Sequence, residues 1–315
     1  MAQRTVLLTG GCGFIGRQAV PHLVAKGYRV HILGRSQGGD ALKALRVSCG
    51  DAVEFHEVNL HDTDSVEPVV HAIRASHLLH LAWDTRHGIF WSSPDNLDWI
   101  VSSKLLLKSF IESGGQRAVA AGTSAEYDWE SGEEAFEEGR SKLQPSTLYG
   151  QSKLAFRKSF FTLAAHHKIS SAWGRIFFLF GPHEGLQRLV SSAAVSLLRG
   201  EPFDASIGDQ LRDFSYAEDV AAAFVSLLDS NVTGDVNVAS GEARSIASIL
   251  DAIGAITGRP ELIRLGAKPK LQNDPAHIVA VVRRLRDEVG VTFPRSLDER
   301  LAETVEWWRS NLSRP

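Results

Sequence analysis

Thr9-Gly10-Gly11-Cys12-Gly13-Phe14-Ile15-Gly16 is the stretch that decides how this chain folds. It follows an apolar run, Thr5–Thr9, and leads into a segment of helical periodicity, Phe14–Lys26. In such a strand–turn–helix the glycines have separable jobs. Gly10 allows the tight turn, Gly13 lets backbone approach a pyrophosphate, and Gly16 lets the first helix pack closely. Free backbone N–H groups and the helix dipole then face the phosphates. Gly10, Gly13, Phe14, Ile15 and Gly16 are therefore expected to line a dinucleotide cofactor.

Outward from this turn, apolar runs and helical segments alternate. Strands are expected at Thr5–Thr9, Arg29–Leu33, Val53–Asn59, His77–Ala82, Ala118–Gly122 and Ala172–Phe180. Helices are expected at Phe14–Lys26, Asp40–Leu45, Asp64–Ala75, Asp95–Ser113 and Leu148–His167. Strict alternation predicts an α/β fold, a doubly wound parallel sheet of the Rossmann type covered on both faces. After Gly181-Pro182 the rhythm loosens into Leu186–Arg199, Asp213–Tyr216, Glu218–Leu228, Asp235–Ala239, Ile246–Ile256 and a helical tail from Val281 to Asn311. This predicts a cofactor domain over 1–180, with segments near 213–240 returning to it, and a smaller C-terminal substrate lobe over 181–315. The charged stretch Glu130–Lys142 reads as a solvated loop.

Bulk properties narrow the class. The chain has 315 residues, 43% hydrophobic and 23% charged, with a formal net charge of -3. That balance is ordinary for a globular protein and offers no reason to expect nucleic acid or an anionic membrane as partner. No apolar run reaches the roughly 20 residues of a bilayer span, and no secretory pattern precedes Thr5. Cys12 and Cys49 fit no metal framework, and His80, His87, His166 and His167 suggest core or surface roles. A cytoplasmic enzyme without a metal is expected.

The second strand bears on the cofactor. A site for NAD usually ends this strand with an acid that binds the ribose 2′-hydroxyl. Here it ends Ile32-Leu33-Gly34-Arg35-Ser36, with no acid until Asp40. A guanidinium suits a 2′-phosphate, so Arg35 favours NADP(H), with NAD(H) still possible. Asn59 and Leu60, after the third strand, are placed for the adenine edge. Leu81, Ala82 and Trp83, after the fourth, are placed for the nicotinamide-side ribose.

Tyr149-Gly-Gln-Ser-Lys153 sets a phenol and an ammonium on one face of a helix, and Thr123 ends the strand before it. A free phenol has a pKa of about 10. A lysine one turn away, helped by an oxidised nicotinamide, is expected to lower it, and the same lysine to hold the cofactor ribose. Thr123, Tyr149 and Lys153 are the candidate catalytic residues, a set that moves a proton to or from a carbinol oxygen. Trp83, Trp91, Trp99 and Trp129 crowd the neighbouring loops, where they could stack on a sugar or base, or simply pack.

With these motifs, and with Gly174-Arg175 through Pro182 and Gln210-Leu-Arg212-Asp213-Phe214 through Ala221, the chain resembles the extended short-chain dehydrogenase/reductases. The similarity is to the nucleotide-sugar epimerase/dehydratase type, over nearly the whole length. It implies a nucleoside-diphosphate sugar as substrate, with the arginine matching Arg212 on the diphosphate, and Trp83, Ser124 and Glu126 as further substrate contacts. It also implies a homodimer through a four-helix bundle of Asp95–Ser113 and Leu148–His167. Departures from the pattern matter. Dehydratases of the family carry a glutamate two residues after the threonine, whereas here Ser124 and Ala125 precede Glu126. No cysteine lies near Thr123, which argues against combined epimerisation and reduction of the fucose type. The position where relatives carry an asparagine is Trp99, with Asn96 one turn earlier. The implied activity is an NADPH-dependent reductase of a keto-deoxy sugar nucleotide. Alternatives are an epimerase retaining NAD, a small-carbonyl reductase, and a redox-silent dinucleotide sensor, which an intact Thr/Tyr/Lys set disfavours.

Overall fold

The computed structural model describes residues 4–35, 39–272 and 274–312. The first half runs β1 (Arg4–Thr9), α1 (Gly16–Ala25), β2 (Tyr28–Gly34), α2 (Gly39–Cys49), β3 (Val53–Glu57) and α3 (Thr63–Ile73). It continues through β4 (His77–His80), α4 (Asp95–Glu112), β5 (Arg117–Thr123), α5 (Leu148–His166) and β6 (Ser170–Ile176). The second half comprises β7 (Phe178–Phe180), α6 (Leu189–Leu198), β8 (Phe203–Asp204), β9 (Leu211–Tyr216), α7 (Ala217–Asp229) and β10 (Gly234–Val238). It closes with β11 (Ala243–Ser245), α8 (Ile246–Thr257), β12 (Ile263–Arg264), β13 (His277–Ile278), α9 (Arg283–Asp287) and α10 (Leu297–Leu312).

Seven strands form one sheet in the order β10-β6-β5-β4-β1-β2-β3, parallel throughout. The central strands β1, β4 and β5 bury both faces, whereas the edge strand β3 leaves Glu54 and Glu57 exposed. Val6, Leu8, Val30 and Ile32 pack towards α1 and α7, whereas Leu7 and Leu33 pack towards α3, α4 and α5. The strand order reverses between β1 and β4, so the ligand crevice of such a sheet lies at their carboxyl ends. The doubly wound parallel sheet read from the sequence is the observed fold.

Past β7 a second core gathers α6, β9, α8 and α10 around Phe180, Phe214, Ile249 and Trp308. Helix α7 instead packs on α1, and β10 extends the main sheet beside β6. Three expectations change. The run Ala172–Phe180 is two strands: β6 ends opposite Thr123 and Val238, and β7 pairs with β9 in a separate sheet. An apolar run carries no mark of which sheet each half joins. The tail is two helices, parted by Gly290 at φ +76° and by Pro294, which has no N–H to donate. Finally, Glu130–Lys142 is anchored rather than freely solvated. Phe136 is fully buried, its N–H donates to Val279 O at 2.8 Å, and its carbonyl accepts from Val281 N at 2.9 Å.

Candidate active site

The glycine turn is held by backbone packing. Gly10 adopts φ +73°, and a Cβ there would lie 2.9 Å from Ala82 N; a Cβ on Gly16 would lie 2.0 Å from Gly10 O. Only glycine fits at either place. Gly13 N donates to Gly10 O at 2.9 Å, closing the turn. Among the described residues, the first turn of α1 carries no acid and its N-cap has no side-chain partner. The amides of Arg17, Gln18 and Ala19 bond back to Gly13 O and Ile15 O, whereas those of Phe14, Ile15 and Gly16 have no partner among the described residues and, with the helix dipole, face an anion. Arg17 adds a cation in the same turn. Burial lowers its pKa, and its Nε is buried with no hydrogen-bond partner among the described residues. Sequence reading missed Arg17. The usable signal was its sign, since a cation in the first turn opposes the helix dipole unless an anion sits there. The cradle therefore fits a dinucleotide pyrophosphate.

At the end of β2, Arg35 is exposed, and Asp40 opens α2 fully in solvent beside Lys43. Asn59 is exposed and its Oδ1 accepts from His61 N at 3.3 Å, whereas Leu60 is buried. Leu81 N donates to Thr9 O, and Ala82 N donates to Thr9 Oγ1 at 3.2 Å. Behind them His80 bridges Thr9 (2.7 Å) and Ser103 (2.9 Å). Burial, with the Lys153 charge adding to it, takes His80 down to about 3. The imidazole is a neutral strut.

Thr123 ends β5, and a 3₁₀ turn over Ser124–Glu126 follows. Helix α5 starts where Thr147 Oγ1 accepts from Gly150 N at 3.1 Å. A Cβ on Gly150 would stand 2.2 Å from Ala125 O, so glycine lets the helix press against that turn. This contact brings the Tyr149 phenol beside the Thr123 side chain. Burial pushes the phenol up to about 12; Thr123 and Arg188 oppose the rise. Lys153 Nζ donates to Ala121 O at 2.9 Å and sits 4.0 Å over the Trp83 ring. Burial brings its ammonium down to about 7, against the pull of Glu126. Among the described residues, the groups acting on Tyr149 are Thr123, Glu126 and Arg188.

Aromatic side chains close over the phenol. Phe90 and Trp91 meet the Tyr149 ring edge-on at 4.9 and 5.8 Å. Trp129 backs Trp91, and Trp99 stacks on Trp83. Asn96 is buried and orders this rim: its Oδ1 accepts from Trp83 Nε1 at 2.8 Å, and its amide donates to Phe90 O and Ser93 O. Arg188, the residue before α6, lies over Phe90 and donates to Thr85 O at 3.1 Å. Phe90 and Arg188 are functional candidates that no local motif marked; chain folding alone brings them to Tyr149.

Two residues expected to contact substrate have protein partners of their own. Glu126 is fully buried, accepting from Thr123 N (2.9 Å), Trp173 Nε1 (2.9 Å) and Arg175 Nε (2.8 Å). It holds the Thr123 turn from behind. Arg212 has no free guanidinium: it pairs with Asp274, donates to Leu211 O and Pro275 O, and lies over Phe178. Ser124 is buried in the catalytic turn.

The sequence profile of the NAD dependent epimerase/dehydratase family matches residues 6–239. This chain belongs to that family. It is 26% identical to dTDP-4-dehydro-6-deoxy-D-allose reductase of Streptomyces bikiniensis, across 98% of this chain and 97% of the relative. It is 24% identical to UDP-glucose 4-epimerase of Neisseria meningitidis serogroup B, across 98% of both. The solved structure of MoeE5 in complex with UDP-glucose and NAD superposes with a TM-score of 0.80 at 25% identity, covering 98% of this chain and all of that one. The family member described here thus shares its fold along the whole chain with an enzyme crystallised with NAD and a sugar nucleotide. Among the described residues, no helix is long and apolar enough to cross a membrane.

Proposed function

We propose that the protein is an NADPH-dependent reductase of a nucleoside-diphosphate keto-deoxy sugar. The observation that carries this reading is the Thr123–Tyr149 pair, a buried phenol beside a hydroxyl at the carboxyl edge of the sheet. With its pKa raised to about 12, Tyr149 is protonated at neutral pH and suited to give a proton to a carbonyl oxygen. Bound NADPH supplies the hydride for the carbonyl carbon. Thr123 Oγ1 positions the oxygen, Phe90 and Trp91 exclude water, and Lys153, under Trp83, reaches the cofactor ribose. Gly10, Gly13, Phe14, Ile15, Gly16 and Arg17 hold the pyrophosphate, and Leu81 and Ala82 border the nicotinamide side. Asn59 and Leu60 border the adenine. Elimination of water finds no free carboxylate at Glu126, whose oxygens are already bonded to Thr123, Trp173 and Arg175.

Cofactor choice rests on Arg35. Arg35→Ala is expected to cost NADPH binding about 1–3 kcal/mol, the scale of charge-assisted hydrogen bonds, and to leave NADH unchanged. Fluorescence titration reads this, and equal wild-type affinity for both cofactors overturns it.

Arg188, half-buried beside Tyr149, takes the anion-binding role expected of Arg212. Arg188→Ala should weaken a nucleoside diphosphate by about 1.5–3 kcal/mol in calorimetric titration. Arg212→Ala should instead lower thermal stability and spare that binding. A wild type that binds no nucleoside diphosphate shifts the reading to a small-carbonyl reductase. The 4-epimerase and NAD-bound relatives favour a second reading, an epimerase retaining NAD. Interconversion of sugar epimers by purified protein, without added cofactor and without net oxidation, would establish it.

We also propose a homodimer through α4 and α5, with residues 181–315 supplying most of the substrate lobe. Leu97, Val101 and Leu105 form an exposed apolar face on α4, next to Leu163 of α5. A monomeric wild type in sedimentation velocity contradicts this.

A further inference from the structure

A separate cluster of ligating side chains lies on the outer edge of the main sheet. Strands β2 and β3 pair in parallel, with His31 registered against Glu54 and Leu33 against His56. Side chains alternate along a strand, so His31, Glu54 and His56 share the sheet face that carries Leu33. Val30, Ile32, Val53 and Phe55 occupy the opposite face. His31 Nδ1 and His56 Nε2 are 2.9 Å apart. The Glu54 carboxylate lies 3.7 Å from each of these nitrogens. The two rings lie nearly parallel, 20° apart.

We propose that His31, Glu54 and His56 form a binding site for one divalent transition-metal ion of the zinc class. Nitrogen and oxygen ligands sit about 2.0–2.2 Å from zinc, which puts tetrahedral neighbours about 3.4 Å from one another. The three observed separations bracket that value. A hydrogen bond between two imidazoles accounts for the 2.9 Å contact alone. Arg29 holds Oε2, but neither contact gives Oε1, 3.7 Å from His56 Nε2, a partner within hydrogen-bond reach among the described residues. A shared cation explains all three. Two imidazoles select zinc, nickel, cobalt or copper over magnesium and calcium, which take oxygen ligands. β3 is the last strand of its sheet and the Glu54 side chain is 46% exposed, so the fourth position opens to water. Arg29 Nη2 lies 3.2 Å from Glu54 Oε2, the oxygen that faces His31, while Oε1, which faces His56, is left to the metal. Its charge lowers affinity without blocking the site. A bound ion ties the edge strand to β2 and pins their register. The ends of these two strands carry Arg35 and Asn59.

The test uses the whole chain, freed of metal by chelator and titrated with zinc by calorimetry and with cobalt by visible absorption. Wild type should bind one zinc ion and give the intense d–d bands of a low-coordinate cobalt site. His31→Gln and His56→Gln should each lower zinc affinity by at least about 100-fold, the upper end of what an outer-sphere loss causes. Glu54→Gln, at an exposed position that spares the core, should weaken zinc and shift the cobalt bands. His71→Gln is the control, because Glu67, His71 and Glu112 form a second, exposed cluster with a single imidazole. It should change nothing. Zinc binding equal in wild type and His56→Gln, or lost only in His71→Gln, overturns the proposal and leaves His31 and His56 as a hydrogen-bonded pair. If His31→Gln fails to fold, the cobalt spectra of wild type and Glu54→Gln still decide: no difference between them overturns it.

Discussion

Tyr149→Phe is expected to lower turnover by about 10²–10⁴-fold, the contribution of a positioned general acid, while NADPH binding stays near wild type. The substitution removes one oxygen. The ring keeps its edge-on packing against Phe90 and Trp91, because phenylalanine offers the same edge and faces. What is lost is the proton held next to Thr123. Since burial pushes this phenol up to about 12, the proton is present across neutral pH. The sign follows directly: a donor of raised pKa keeps its proton as pH climbs, so loss of the donor form is confined to strongly alkaline pH. Steady-state rates with a keto-sugar nucleotide, alongside fluorescence titration of NADPH, check both halves. Near-wild-type turnover in Tyr149→Phe rules out the assigned chemistry. Weakened NADPH binding with intact chemistry assigns the phenol to the cofactor instead.

Glu126→Ala is expected to destabilise the fold by about 3–5 kcal/mol, the scale for breaking a buried ion pair from one side. Glu126 and Arg175 are both fully buried, 2.8 Å apart. Removing the carboxylate leaves Arg175 with Asp235 at 3.4 Å and a contact to the Tyr127 hydroxyl, and its Nη2 already lacks a hydrogen bond among the described residues. Thr123 N and Trp173 Nε1 lose their acceptor as well. Urea unfolding of the variant measures the cost, and Glu126→Leu combined with Arg175→Met should cost less than Glu126→Ala alone. A loss below about 1 kcal/mol for Glu126→Ala, the range of exposed pairs, contradicts the buried-pair account. Because Thr123 is held by the same carboxylate, turnover should fall in the folded fraction too.

Much of this molecule is legible along the chain. Gly10 to Gly16 between an apolar strand and a helix specifies a phosphate cradle, because the turn needs residues without Cβ at stated positions. Alternation specifies the doubly wound parallel sheet, because two-sided burial and right-handed crossovers leave few other arrangements. Tyr149 and Lys153 fall on one helical face by spacing alone. The remainder depends on partners distant in sequence. Arg212 stands in a family-like motif, yet its guanidinium is taken by Asp274. Glu126 sits three residues from Thr123, yet Arg175 and Trp173 draw it into the core. Lys153 faces Tyr149 in sequence, yet the Ala121 carbonyl and the Trp83 ring set where its charge lies. Arg17 and Arg188 each become informative through the cleft around them. His31, Glu54 and His56 converge only through the register of β2 with β3. Local spacing determines which residues share a turn or a helical face; which charge is neutralised, and by what, is decided when separate segments are buried together, since an ionised group leaving water takes whatever partner the packing supplies.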